Sequence, residues 1–218
     1  MPRTAEPTAS ASPVLADIEA ARLVVVATVD DPEMGGRLAR ALLAGGVRCV
    51  EITLRTPRAS AAIKAASREA GMIVGAGTVL NRDDVDRSVE AGAQFLVSPG
   101  LSDEVMERAA DFDIPAIPGI GTATELQRAH GGGLRHVKVF PASMLGGLPF
   151  VRALAAPFPK VRFMPSGGVR HEDVAAYSAE PSVFAVAGGW IASPELIAAG
   201  DWTTITQRAS RAIAETAR

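Results

Sequence analysis

The sequence predicts an α/β fold, specifically a closed (β/α)8 TIM barrel, and three observations point to it. Short β-branched runs alternate with alanine-rich stretches of helical period. The runs number about eight and recur about every 20 to 25 residues, the beat of repeated strand–helix units. The chain of 218 residues has room for eight such units and one core. An open doubly wound sheet is the alternative, but the glycine fingerprint expected after its first strand is missing.

In chain order the strand candidates are "LVVVATV" from Leu23, "RCVEITL" from Arg48, "MIVGAGTV" from Met72 and "QFLVSPG" from Gln94. They continue with "IPAIPGI" from Ile114, "HVKVFPA" from His136, "VRFMPSGG" from Val161 and "VFAVAGGW" from Val183. Between them, "EMGGRLARALLAGG", "RASAAIKAASREAG" and "RDDVDRSVEAGA" place apolar residues three and four apart and stop at glycine or just past it, as helices do. Asp83, Asp84 and Asp86 read as the acidic first turn of a solvated helix. Residues 1–13, rich in Ala, Ser, Thr and Pro, read as a flexible tail, and residues 14–218 as a single domain.

Charge and composition narrow the function classes. The formal charge of −2 comes without a run of Lys or Arg that could track a phosphate backbone, so nucleic acid is not an expected partner. No apolar run approaches the roughly 20 residues that span a bilayer, and the first segment lacks the basic start and apolar stretch of a secretory signal. Cys49 is the lone cysteine, which precludes an intrachain disulfide and fits a reducing cytoplasm.

In such a barrel the C-terminal ends of the strands form the mouth where chemistry takes place. Side chains alternate across a strand, so "CVEITLR" puts Glu51, Thr53 and Arg55 on one face and Val50, Ile52 and Leu54 on the other. The apolar set suits the helix layer, which turns Glu51 inward. The same parity in "HVKVF" turns Lys138 and Phe140 inward and Val137 and Val139 outward. Two opposite charges therefore aim at one axis. Burying ions costs several kcal/mol, so the pair signals chemistry more than stability.

A lysine amine attacks a carbonyl only as the neutral base, and the apolar wall formed by Val139, Phe140 and Pro141 favours that form. Glu51 is then placed to move substrate protons, and Arg55 to hold a carboxylate in its planar fork. Together they suggest a keto acid. The glycine pairs of "PSGGV" (165–169) and "AVAGGW" (185–190) end two neighbouring strands, where bare amides hold phosphate in many barrels. His130, His136 and His171 lack metal-ligand spacing, and Trp190 and Trp202 read as core or interface anchors.

The motifs "AGGVRCVEITLRTP", "IVGAGTVLN", "AGAQFLVSPGL", "IPAIPGIGTATEL", "VKVFPAS", "RFMPSGGV" and "GGW" occur in an order and spacing that resemble the bacterial 2-keto-3-deoxy-6-phosphogluconate (KDPG) and 4-hydroxy-2-oxoglutarate (KHG) aldolases, from about Leu15 onward. The resemblance implies a (β/α)8 barrel that assembles as a homotrimer, with no metal and no cofactor. It implies Lys138 as the Schiff-base lysine and Glu51 as the general acid/base. Arg55 and Thr78 match positions that hold the pyruvate portion of the substrate, and Pro99 and Phe140 match pocket walls. Ser166, Gly167 and Gly168 match one half of a phosphate site, and Gly188 with Gly189 the other.

Three departures stand out. Gly189 replaces a usual serine, leaving backbone amides as donors there; "VVVAT" replaces a common Pro-Val-Ile pattern; and Gly121 stands where serine or threonine is usual. Two other readings stay open from the sequence. One is a sugar-phosphate isomerase or epimerase on the same barrel, and the other is a non-catalytic ligand-binding relative.

Overall fold

The computed structural model describes residues 12–216; most of the expected tail lies outside the described residues. The chain runs α1 (Pro13–Ala21), β1 (Leu23–Ala27), α2 (Pro32–Ala44), β2 (Cys49–Thr53), α3 (Ala59–Ala66), β3 (Ile73–Gly77), α4 (Arg82–Glu90) and β4 (Phe95–Val97). It continues with α5 (Asp103–Asp111), β5 (Ala116–Ile117), β6 (Gly119–Ile120), α6 (Ala123–Gly131), β7 (His136–Val139), α7 (Leu148–Ala155) and β8 (Arg162–Pro165). A 3-10 turn (His171–Asp173), α8 (Val174–Ser178), β9 (Val186–Gly188), α9 (Pro194–Ala199) and α10 (Trp202–Thr216) follow.

Each of the eight expected runs carries strand, and the fifth is split. Pro118 has no N–H to donate and divides "AIPGI" into two-residue strands, β5 on β4 and β6 on β7. The hydrogen-bonded pairing accordingly forms two sheets, one ordered β5-β4-β3-β2-β1-β9 and one ordered β6-β7-β8. Every pairing is parallel. An isolated parallel bridge joins Phe163 of β8 to Val183, just before β9.

Local sequence explains the helix starts. The Asp31 side chain caps α2 by accepting from the Glu33 amide at 3.0 Å, with Pro32 at the first helical position. Asn81 caps α4 through the Asp84 amide at 2.9 Å. Asp84 departs from the solvated reading: it is buried, accepts from the Leu80 amide at 2.8 Å and pairs with Arg87 at 2.6 Å. The carboxylate thereby fixes the turn out of β3.

Strand parity sorts the core into two layers. Val50, Ile52, Val137 and Val139 join Val25, Val74 and Leu96 in the outer layer, where Leu38, Leu42 and Ile63 from α2 and α3 cover them. Cys49 lies in the inner cluster with Val24, Phe95, Val97, Ile117, Met164 and Phe184. Helix α1 sends the fully buried Ile18 into that inner cluster. Buried apolar area on both faces is what an all-parallel sheet needs, at about 25 cal/mol per Å² removed from water.

Candidate active site

Three strand neighbours without side chains clear space inside the sheet. Glu51 on β2 lies beside Gly75 of β3, and Lys138 on β7 lies beside Gly119 of β6. Gly77, opposite Thr53, leaves room for the carboxylate itself, since a Cβ there would stand 2.1 Å from Glu51 Oε1. In that cleared space Lys138 Nζ donates to Glu51 Oε1 at 3.3 Å. Both are buried, Glu51 at 1 % and Lys138 at 5 % exposure. The second oxygen, Glu51 Oε2, is also buried and has no partner, which leaves a costly unsatisfied acceptor next to the Lys138 amine.

Lys138 Nζ also stands 5.2 Å from the ring centroid of the half-buried Phe140. Below Glu51, burial and then the Glu51 carboxylate push the Cys49 thiol far above its usual range, so it stays protonated. The parity expected from "CVEITLR" and "HVKVF" therefore brings together the two charges it aimed at one axis.

The other expected residues cluster at C-terminal strand ends. Arg55 is exposed in the turn after β2 and, among the described residues, forms no ion pair. Thr78 follows β3 with φ +60, a left-handed conformation that costs a β-branched residue about 1 kcal/mol or more and is typical of functional sites. Pro99 follows β4, half-buried, and its carbonyl oxygen would stand 2.1 Å from a Cβ on Gly119. Ser166 follows β8 and is buried, while Gly167 and Gly168 turn at φ +86 and +74. Gly188 ends β9 and Gly189 is exposed beyond it. Among the described residues the amides of Gly167, Gly168 and Gly189 donate to no protein acceptor, so they are available to an anion.

Sequence reasoning gave no role to Thr28, whose Oγ1 lies 2.9 Å from Thr53 Oγ1. The signal was present: Thr28 continues the inward set of Val24 and Val26 in "VVVAT". Of the histidines, His136 faces Glu19 of α1 at 2.5 Å, away from Lys138. Among the described residues no group of three His, Cys, Asp or Glu side chains is arranged to hold a metal ion. No described helix is long and apolar enough to cross a membrane.

The family model for KDPG and KHG aldolase matches residues 14–208. The chain belongs to this aldolase family. It is 44 % identical over 190 residues to the 2-dehydro-3-deoxy-phosphogluconate aldolase of Treponema pallidum, covering 87 % of this chain and 90 % of that one. It is 43 % identical over 192 residues to the KHG/KDPG aldolase of Escherichia coli K12, covering 88 % and 90 %. Among solved structures, the KDPG aldolase from Legionella pneumophila, with pyruvate captured as a covalent carbinolamine intermediate, superposes with a TM-score of 0.86 at 35 % identity, covering 90 % of this chain and 96 % of that one. These aldolases share the parallel α/β architecture described above.

Proposed function

We propose that this chain is a class I aldolase, a lyase that cleaves KDPG to pyruvate and glyceraldehyde 3-phosphate, KHG to pyruvate and glyoxylate, or both. The buried 3.3 Å contact between Lys138 and Glu51 carries the reading. An isomerase or epimerase would use a base and a phosphate site but needs no imine, so it would form no reducible adduct on Lys138.

In this mechanism neutral Lys138 attacks the C2 ketone to give a carbinolamine, and loss of water leaves an iminium. Glu51 takes the C4 hydroxyl proton as the C3–C4 bond breaks, and the bond's electrons pass into the iminium to give the enamine of pyruvate. The same carboxyl returns its proton to C3, and water then hydrolyses the imine to free pyruvate and Lys138. Arg55 and Thr78 hold the keto-acid carboxylate, and Pro99 and Phe140 wall the pocket. The Ser166 hydroxyl and the amides of Gly167, Gly168 and Gly189 take the phosphate, with Gly188 shaping the second turn. Their freedom from protein acceptors supports that role.

The two sheets close into a (β/α)8 barrel in this reading, as one domain over residues 14–218. Support comes from the Phe163–Val183 bridge on one side and from the single proline between β5 and β6 on the other. The homotrimer rests on the family resemblance, and the cytoplasmic setting on a lone, buried cysteine. The test is pyruvate release from each substrate, followed by coupled reduction to lactate with and without a chelator. Metal-independent release supports the proposal, and no release from either substrate overturns it.

A further inference from the structure

The register that pairs Val26 with Glu51 and Ala27 with Ile52 continues by one residue to bring Thr28 beside Thr53. Their hydroxyl oxygens are 2.9 Å apart. Both side chains point inward: Val24 and Val26 precede Thr28 on the inner face of β1, and Cys49 and Glu51 precede Thr53 on that of β2. The pair therefore lies one inward position beyond Glu51, about 6.6 Å along the strand toward the C-terminal mouth. Thr53 is almost wholly buried, whereas Thr28 is half-buried and opens the pair to that mouth.

Two hydroxyls carry two protons, and their mutual bond uses one. Among the described residues neither hydroxyl has another partner, so one O–H donor and further lone pairs remain uncommitted. A valine in either place would fill the same volume without this chemistry. On the far side of β1, Gly189 has no side chain, and a Cβ there would meet the Val26 carbonyl at 3.3 Å. Strand β1 is thus the wall that contributes a hydroxyl beside Gly189.

Resting on the aldolase reading, we propose that Thr28, oriented by Thr53, binds the hydroxyl on the carbon next to the cleaved bond and so selects polyhydroxylated substrates. With C2 on Lys138 and the C4 hydroxyl at Glu51, the next group toward the mouth is the C5 hydroxyl of KDPG. KHG has a carboxylate carbon there and no such hydroxyl. The pair therefore discriminates between the two substrates and leaves the pyruvate half untouched.

The test compares wild type, Thr28→Val and Thr28→Ser on both substrates, with borohydride trapping of pyruvate as a second readout. Thr28→Val is expected to lower kcat/KM for KDPG about five- to tenfold, as loss of one neutral hydrogen bond does. KHG turnover and the pyruvate adduct stay within about twofold, and Thr28→Ser restores KDPG activity. Equal changes on both substrates, or no change on KDPG, overturn the subsite. No pyruvate adduct on the wild-type protein overturns the aldolase reading itself, and the subsite with it.

Discussion

Lys138 Nζ and Glu51 Oε1 meet at 3.3 Å although the residues are 87 positions apart in the chain. The contact exists because β2 and β7 each turn one charged side chain inward, and Gly77 on the neighbouring β3 leaves room for the Glu51 carboxylate. Desolvating such a pair costs about as much as its attraction returns, so it stabilises the fold little. The pair is better explained by chemistry that needs a buried amine beside a buried carboxyl.

Replacing the carboxylate separates the two roles. Glu51→Gln keeps the shape and can still accept from Lys138, but it removes the proton acceptor. Turnover is expected to fall about 10²- to 10⁴-fold, while pyruvate still forms a reducible adduct. Steady-state kinetics and intact-mass measurement on the same sample check both halves.

Gly77 tests the geometry without touching either charge. An alanine Cβ would stand 2.1 Å from Glu51 Oε1 and 2.6 Å from its Cγ, so the carboxylate must move. A displacement of about 1 Å costs up to about 10²-fold in rate, and overpacking costs about 1–3 kcal/mol of stability. The predicted outcome for Gly77→Ala is a fall in kcat larger than the loss of stability explains, read from kinetics at a temperature where the variant remains folded by circular dichroism.

Arg55 is exposed and free of ion pairs among the described residues, so its removal has little structural cost. Arg55→Gln should leave the melting temperature within about 2 °C, since surface changes of this kind stay within about 0.5 kcal/mol. The pyruvate concentration needed for half-maximal trapping should rise about tenfold or more, because a charge-assisted bond to the carboxylate is lost. An unchanged pyruvate requirement would remove Arg55 from the site.

Cys49 gives a pH-dependent prediction with a definite sign. Burial, then Glu51, raises its folded-state pKa far above the unfolded value of about 8.5. Its contribution to stability is complete below about pH 8.5 and is lost as pH rises toward the folded value, by at most about 1.4 kcal/mol per pH unit. Urea midpoints between pH 8.5 and 10.5 should therefore fall more steeply for wild type than for Cys49→Ala. A thiol reagent should label no cysteine in the folded protein and one after unfolding.

Strand parity was enough to read both core layers and the facing of Glu51 and Lys138, because residues alternate whatever the neighbouring strand does. The break at Pro118 was legible as a missing donor, but its result, two strands on different neighbours, depends on sheet pairing. Asp84 looked like one acid in a solvated turn, whereas tertiary packing buries it against the Leu80 amide and Arg87. The Thr28–Thr53 contact needs the register between β1 and β2, which neither run contains alone. The buried Lys138–Glu51 pair and the glycine turns were written in local motifs, whereas the hydroxyl pair emerged only from assembly.

The central claim is that Lys138 is the nucleophile, and the most direct measurement is to incubate the protein with pyruvate, reduce with borohydride and map the mass gain by peptide mass spectrometry. The account predicts one pyruvyl adduct, on the peptide containing Lys138, and none in Lys138→Met. A folded protein in excess pyruvate that gains no mass, or gains it on another lysine, would contradict it.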